Sequence, residues 1–280
     1  MRAFGPGVAD MKAGLVMNAF VLAAFARHGG AELPLVGLFT GDEEIGSPGS
    51  RPIIEREGKG AYCVFNAEPG RISGNVVTGR RGGIFFRCDI KGKAAHAGLN
   101  FEDGHSAILA LARKIEAWMA LPKRFPGTTT NVGTVAGGQS VNTVAPNATC
   151  DIDLRYENLA EREALIGAIE AIATETSVEG TSAKIRILGE FMPMRQTPEA
   201  KRLFDLYVAS AREVGLEVGG EFTRSCADSG LTAAMGAPTL CATGPVGGKA
   251  HSPDEYLELA TLIPRASALA RTLAVIRAEG

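Results

Sequence analysis

The sequence has few of the features that mark disulfide-rich secreted proteins. It holds five cysteines, an odd number, and none of them belongs to a CxxC pair. This pattern argues against a disulfide framework and against a zinc site built from thiolates. It predicts reduced, buried thiols and a cytoplasmic location.

An excess of positive charge is also missing. Lys and Arg number 29 against 31 Asp and Glu, so the formal net charge is −2. Nucleic-acid partners require a basic surface, and none is predicted. Long apolar runs are absent as well, because AGLVMNAFVLAAFA stops short of the roughly 20 residues of a membrane span. No charged leader precedes that run, and we expect a soluble protein with no membrane partner.

Hydrophobic periodicity predicts an α/β layer at both ends of the chain. A helix over 11–28 is followed by short apolar runs at 35–40 and 61–67, without alternation, as in parallel strands covered on both faces. The same style returns after residue 189, with a helix over 198–214, a strand near 238–242 and a closing helix over 255–278.

Between these parts, alternating apolar and polar residues predict antiparallel strands. Strand, helix, two strands, helix and strand follow one another, which is the βαββαβ order of a ferredoxin-like unit. The predicted fold class is therefore α/β, with a discontinuous domain of residues 1–78 and 189–280 and an inserted ferredoxin-like domain of residues 79–188.

The stretch GDEEIGS places three carboxylates side by side, on Asp42, Glu43 and Glu44. Such neighbours raise one another's pKa unless a cation or hydrogen-bond donors offset the repulsion. Acidic residues after a strand can also simply cap a helix or face solvent. Here, however, they and Glu68 each follow a predicted strand, at the edge where open α/β sheets gather ligands. The pattern indicates a positive partner.

Six motifs occur in a family's order: GPGVADMKAG, GDEEIGS, NAEPG, IKGKAAHAG, VNTVAPNATCDIDLRY and GGKAHSPDEY. In this order they resemble the zinc amidohydrolase superfamily that contains glutamate carboxypeptidase, acetylornithine deacetylase, succinyl-diaminopimelate desuccinylase and aminoacylase. Each motif alone is weak evidence. The resemblance extends over essentially the whole chain and implies a catalytic outer domain and an inserted lid that dimerises.

The resemblance implies four metal ligands. Asp10 matches the aspartate that bridges two zinc ions, Glu44 and Glu68 match carboxylate ligands, and His251 matches a late histidine ligand. Carboxylate oxygen and neutral imidazole both suit zinc. Taken singly, Asp10 could be a helix cap, Glu68 a solvated loop residue and His251 a surface histidine. Cobalt or manganese in place of zinc stays open.

The resemblance also implies catalytic and substrate-binding residues. Glu43 matches the general base; on an extended segment it would point away from Glu44, so that one could bind metal while the other faces water. His96 matches a histidine that reaches across a homodimer to the oxyanion. Asn142 and Arg155 match substrate contacts. Without the family, His96 and Asn142 could be turn residues and Arg155 a surface cation.

Two departures qualify the resemblance. The family's first histidine ligand lies upstream of Asp10 and has no match here, so we expect an N-terminally truncated member with two, one or no metal ions. Glu190 occupies the position of an arginine in glutamate-releasing members, so specificity for a C-terminal glutamate is not predicted. No role is assigned to four nearby charged residues: Lys12, Asp42, Arg80 and Arg81.

The function implied is a metal-dependent hydrolase of amide bonds in N-acyl amino acids or small peptides, of carboxypeptidase or deacylase type. The alternative is a metal-incomplete relative that acts as a non-catalytic binding or dimerising module. A third possibility is that a second chain supplies the missing strands. The residues do not specify the acyl group or the amino acid.

Overall fold

A computed structural model describes residues 1–276 of the chain. Its helices are α1 Ala13–His28, α2 Arg51–Gly58, α3 Ala107–Met119, α4 Arg162–Thr174, α5 Pro198–Glu213, α6 Ser229–Ala234 and α7 Leu262–Val275. Its strands are β1 Arg2–Phe4, β2 Val64–Phe65, β3 Val76–Arg80, β4 Gly82–Lys91, β5 Thr129–Gly137, β6 Asn147–Tyr156, β7 Ser182–Phe191, β8 Gly220–Thr223, β9 Thr239–Leu240, β10 Gly247–Gly248 and β11 Tyr256–Glu258.

The outer parts of the chain form one compact unit, made of residues 1–43, 49–80 and those from 194 onward. Strand β2 pairs in parallel with β9, and β3 pairs in parallel with β8. Helices α5 and α7 cover this layer, and their buried residues include Tyr207 and Ala268, packed around Leu240. A mixed α/β fold with short parallel strands is therefore present, as the apolar runs predicted.

The prediction of one closing helix from residue 255 is wrong at its start. Tyr256–Glu258 is strand β11, which pairs antiparallel with β1 and with β10, and α7 begins only at Leu262. Tyr256 and Leu257 are buried in this small sheet. Their partner lies more than 250 positions away, so helical periodicity alone misses the pairing. Residue 278, where the helix was expected to end, lies outside the described residues.

The predicted strand at 35–40 is also absent. The segment has no regular secondary structure, and within residues 1–276 no strand pairs with it. Val36 and Phe39 are 70% and 49% exposed, although a strand covered on both faces would bury them. An apolar run becomes a central strand only when neighbouring strands satisfy its backbone groups.

Helix α1 is part of a longer apolar segment, of which one face is buried. With the turn before it, the segment Val8–His28 is 21 residues long and apolar enough, by length and composition, to cross a membrane. The expectation that its apolar run would be too short is therefore wrong. Met17 and Val21 on one face are buried against Ala67 and Leu269, whereas 28% of the apolar window as a whole is buried.

The second compact unit consists of residues 81–193, with which the short loop 44–48 is grouped. Its elements follow the order β4, α3, β5, β6, α4, β7, and its antiparallel sheet has the order β5-β6-β4-β7. Helices α3 and α4 pack on one face of the sheet, around the buried Trp118, Ile152 and Leu154. The indole N–H of Trp118 donates a hydrogen bond to the Ile169 carbonyl, at 3.1 Å.

The core of this unit offers a direct test of its packing. We expect Leu154→Ala to lower the free energy of unfolding by about 2–5 kcal/mol, because the side chain is fully buried and its removal leaves a cavity. Trp118 is the single tryptophan of the chain, so its fluorescence reports on this unit. The control is Val141→Ala at a fully exposed position, which should leave the denaturation midpoint unchanged. Equal midpoints for both variants would contradict the described core.

Candidate metal centre

Asp10 lies in an irregular turn, Val8–Lys12, directly before α1. Asp10 and Met11 have non-helical backbone angles, and the peptide bond between them is cis. The N-cap position of α1 is Lys12, so Asp10 does not cap the helix. Its side chain is 20% exposed and available to neighbours from other parts of the fold.

His251 supplies the first such neighbour. Its Nε2 lies 3.3 Å from Oδ2 of Asp10. Two ligands of one tetrahedral zinc, bound at roughly 2.0–2.1 Å each, lie about 3.3–3.4 Å apart. The pair therefore has a separation that fits a shared cation. His251 also has a positive φ of 60°, a conformation uncommon outside glycine and often found at functional sites.

Glu44 offers a third ligand atom. One such atom each from Asp10, Glu44 and His251 lie within 4.8 Å of one another. Two carboxylates and one imidazole form a donor set that suits Zn²⁺ and related divalent ions, with a position left over for water or substrate. The residues thus fit the metal that the resemblance implies.

The backbone at Glu43 and Glu44 differs from the extended segment that was expected. The segment is not extended, because Glu43–Ile45 forms a 3₁₀ turn. With about three residues per turn, successive side chains point roughly 120° apart. The two glutamates therefore still point in different directions.

Glu68 does not belong to the three-residue group. It is 9% exposed and lies near the buried Arg80, whose Nη1 donates to the Ser225 hydroxyl at 3.0 Å and to the Cys226 carbonyl at 3.1 Å. Burial by itself lowers the pKa of the Arg80 guanidinium. The neighbouring Cys241, Glu68 and Glu43 outweigh that effect, so the pKa of Arg80 lies above its usual value.

Arg80 is thus one positive partner that the acidic residues required. No role is predicted for Arg80 from the sequence, in which its signal is a cation at the end of the strand before the insert. Asp42 has a structural task instead: it accepts hydrogen bonds from the Ser50 hydroxyl and from the N–H groups of Gly49 and Ser50. The Ser50 hydroxyl leads the contributions that lower the pKa of Asp42, despite desolvation.

Glu255 is a second residue that the sequence analysis missed. It is 4% exposed, and its carboxylate accepts hydrogen bonds from the N–H groups of Gly7, Ala9 and Asp10. Burial raises the pKa of this carboxyl, but the three N–H donors and the nearby His251 outweigh it, so the pKa of Glu255 lies below its usual value. Its position four residues after His251, within the last motif, was the available signal.

His96 and Asn142, two predicted site residues, lie close together in the inserted unit. The backbone N–H of Ala97 donates to the Asn142 carbonyl, and His96 bridges to Thr143. Nδ1 of His96 accepts hydrogen bonds from the N–H groups of two following residues, at 3.1 and 3.2 Å. In a neutral imidazole this places the proton on Nε2, which is then a donor.

Arg155 and Glu190 have partners within the inserted unit. The guanidinium of Arg155 forms two hydrogen bonds with the Asp153 carboxylate, at 2.6 and 2.8 Å. Glu190 is 4% exposed and binds Arg162 through both carboxylate oxygens, at 2.5 and 2.8 Å. Glu190 is therefore held in a buried ion pair of the insert.

A group of carboxylates and an imidazole is the donor set of metal-dependent hydrolases. The chain belongs to peptidase family M20/M25/M40, whose family model matches residues 2–275. It is 28% identical to carboxypeptidase G2 of a Pseudomonas species, over 94% of this chain and 64% of that protein. It is 27% identical to succinyl-diaminopimelate desuccinylase of Cupriavidus taiwanensis, over 94% of this chain and 71% of that protein.

The fold has a close counterpart in a solved structure. An M20 family metallo-carboxypeptidase from Sulfolobus solfataricus superposes with a TM-score of 0.78, at 17% identity, over 98% of this chain and 77% of that one. At that identity the likeness establishes the fold alone. The chain thus spans about two thirds to three quarters of the length of these proteins.

The metal centre is tested by binding. We expect wild-type protein to be stabilised by Zn²⁺ or Mn²⁺, by about 2.7 kcal/mol at a free concentration of 100 Kd. Asp10→Asn and His251→Ala should each lose most of this stabilisation, because each removes one of three ligands. The measurement is thermal unfolding with and without added metal.

The control for these variants is His28→Ala. His28 is an exposed histidine at the end of α1, so the variant should respond to metal as the wild type does. Equal responses of His251→Ala and wild type would remove His251 from the centre.

Proposed function

We propose that this protein is a metal-dependent hydrolase that cleaves the amide bond of N-acyl amino acids or small peptides. The observation that carries the proposal is the grouping of Asp10, Glu44 and His251 in a member of this peptidase family. The names of the two relatives, a carboxypeptidase and a desuccinylase, support an amide bond next to an amino acid as the target. The metal identity and the number of ions belong to the same proposal.

Asp10, Glu44 and His251 would hold the divalent ion, and Glu68 is the candidate for a second one. When bound, the ion polarises the substrate carbonyl and lowers the pKa of water. Glu43 is the base in this proposal. Its carboxylate takes a proton from the attacking water as the new C–O bond forms, and returns a proton to the leaving nitrogen as the C–N bond breaks.

Arg80 supports this role through its charge. The guanidinium near Glu43 favours the ionised carboxylate, the form that a base requires at neutral pH. Arg80 is buried and held by Ser225 and Cys226, so its position is fixed before substrate binds.

Replacing the Glu43 carboxylate by an amide tests its role as the base. We expect Glu43→Gln to lower kcat by about 100-fold to 10,000-fold, the usual contribution of a general acid–base group, and to leave metal binding intact. Turnover of a panel of N-acyl amino acids and dipeptides is measured with and without chelator.

The matched control is Glu57→Gln on α2, whose carboxylate is half-buried and pairs with Arg56, and which should keep wild-type turnover. Chelator-sensitive turnover that survives in Glu43→Gln would remove Glu43 as the base. A wild-type protein that neither binds metal nor hydrolyses any compound of the panel would favour the non-catalytic module instead.

We further propose that the inserted unit is a lid that forms a homodimer, and that His96 of one subunit serves the site of the other. The tautomer supports this role, because Nδ1 is occupied by two N–H donors and Nε2 is left as the donor. A donor aimed at the developing oxyanion lowers the barrier of acyl transfer. Asn142 and Arg155 are the candidate substrate contacts on the same unit.

Action across subunits makes a specific prediction. His96→Ala should lower kcat by about 100-fold to 1,000-fold without loss of metal, as removal of an oxyanion donor does. A heterodimer of one His96→Ala and one Glu43→Gln subunit should regain activity, since one of its two sites then has both residues. The measurement is the turnover of co-expressed, doubly tagged dimers. An inactive heterodimer, or a monomer in sedimentation, would contradict the arrangement.

A further inference from the structure

The geometry points to Glu255 as a positioning residue that fixes the loop of Asp10 for metal binding. This inference rests on the proposed function of the Asp10 centre. It concerns a carboxylate that has no place among the metal ligands or the catalytic residues above. Glu255 acts on the backbone of the ligand loop rather than on the metal or the substrate.

Three backbone N–H groups before α1 converge on the Glu255 carboxylate. Oε1 of Glu255 accepts from Ala9 and Asp10, both at 2.9 Å, and Oε2 accepts from Gly7 at 2.8 Å. No side chain of the turn caps these groups. Because buried N–H groups without partners are costly, Glu255 is what allows this turn to be partly buried in its observed shape.

The position of Glu255 is itself fixed by pairing. The next residue, Tyr256, begins β11 and is paired with Phe4 of β1 and with Gly248 of β10. The Glu255 carbonyl also accepts from the Gly5 N–H, at 3.3 Å. The backbone of Glu255 is therefore held next to a three-stranded sheet, and this fixes where its carboxylate lies.

Close packing leaves little room for the turn to shift. A Cβ added at Gly247 would lie 2.4 Å from Cβ of Ala9 and 2.7 Å from the Tyr256 carbonyl oxygen. Glycine at this position lets β10 lie directly against the turn. The backbone of Asp10 is thus fixed by packing on one side and by the Glu255 carboxylate on the other.

The segment between β10 and β11 consequently positions two candidate metal ligands, His251 and Asp10. His251 and Glu255 lie four residues apart between β10 and β11, and the first contacts the Asp10 side chain while the second holds the Asp10 backbone. A carboxylate with two accepting oxygens is required, because three N–H groups converge on it. An amide of the same size has one accepting oxygen and an NH₂ group that would face an N–H.

The test is Glu255→Gln in the full chain. We expect the affinity for Zn²⁺ or Mn²⁺, measured by competition with a fluorescent chelator, to fall about 10-fold to 100-fold, as for other residues that orient metal ligands. In the metal-free protein, amide hydrogen exchange of the peptide covering residues 5–12 should accelerate, since the N–H groups of Gly7, Ala9 and Asp10 lose their acceptor.

The matched control is Glu258→Gln. Glu258 lies on the same strand, but its carboxylate binds the exposed Arg2 rather than the turn, so affinity and exchange should stay at wild-type values. Unchanged exchange at residues 5–12 in Glu255→Gln, or unchanged affinity while wild type binds metal, would overturn the inference. If wild type binds no metal, the proposed function fails, and the exchange experiment still reports whether Glu255 orders the turn. Global loss of protection in Glu255→Gln would also overturn the local role.

Discussion

The pairing of β1 with β11 is the constraint on which the candidate site depends. Three residues near the start of the chain and three near its end form one antiparallel ladder, flanked by β10. The turn with Asp10 follows β1, and the loop with His251 precedes β11. Without this long-range pairing the two side chains, more than 240 positions apart in sequence, would have no reason to lie 3.3 Å from each other.

Electrostatics explains how the acidic residues of the motifs that resemble metal-binding segments are accommodated. They are treated in different ways: Asp42 closes a loop through hydrogen bonds, Glu255 accepts three backbone donors, and Glu68 lies near the buried Arg80. Asp10, Glu44 and His251 each offer a ligand atom, and these atoms lie within 4.8 Å of one another. Carboxylate and imidazole groups at such a separation are suited to sharing a divalent cation.

The sequence patterns predicted local structure better than they predicted which strands pair. Helices α1 and α5 and the alternating strands of the insert follow from periodicity, because their buried faces repeat within a few residues. Strand β11 and the irregular run at 35–40 do not, since each depends on whether a distant partner is present. The same holds at the site: motif order pointed to Asp10, Glu44 and His251, whereas Arg80 and Glu255 act through contacts that no spacing rule contains.

The continuity of residues 81–193 has a consequence for synthesis on the ribosome. That unit contains its own core and can collapse once its last strand has emerged, while the outer unit still lacks more than half of its residues, those from 194 onward. Strand β11 follows the inserted unit along the chain. We therefore expect the nascent polypeptide to acquire a folded middle first, and the residues around Asp10 to stay without Glu255 and His251 until that later segment has been made.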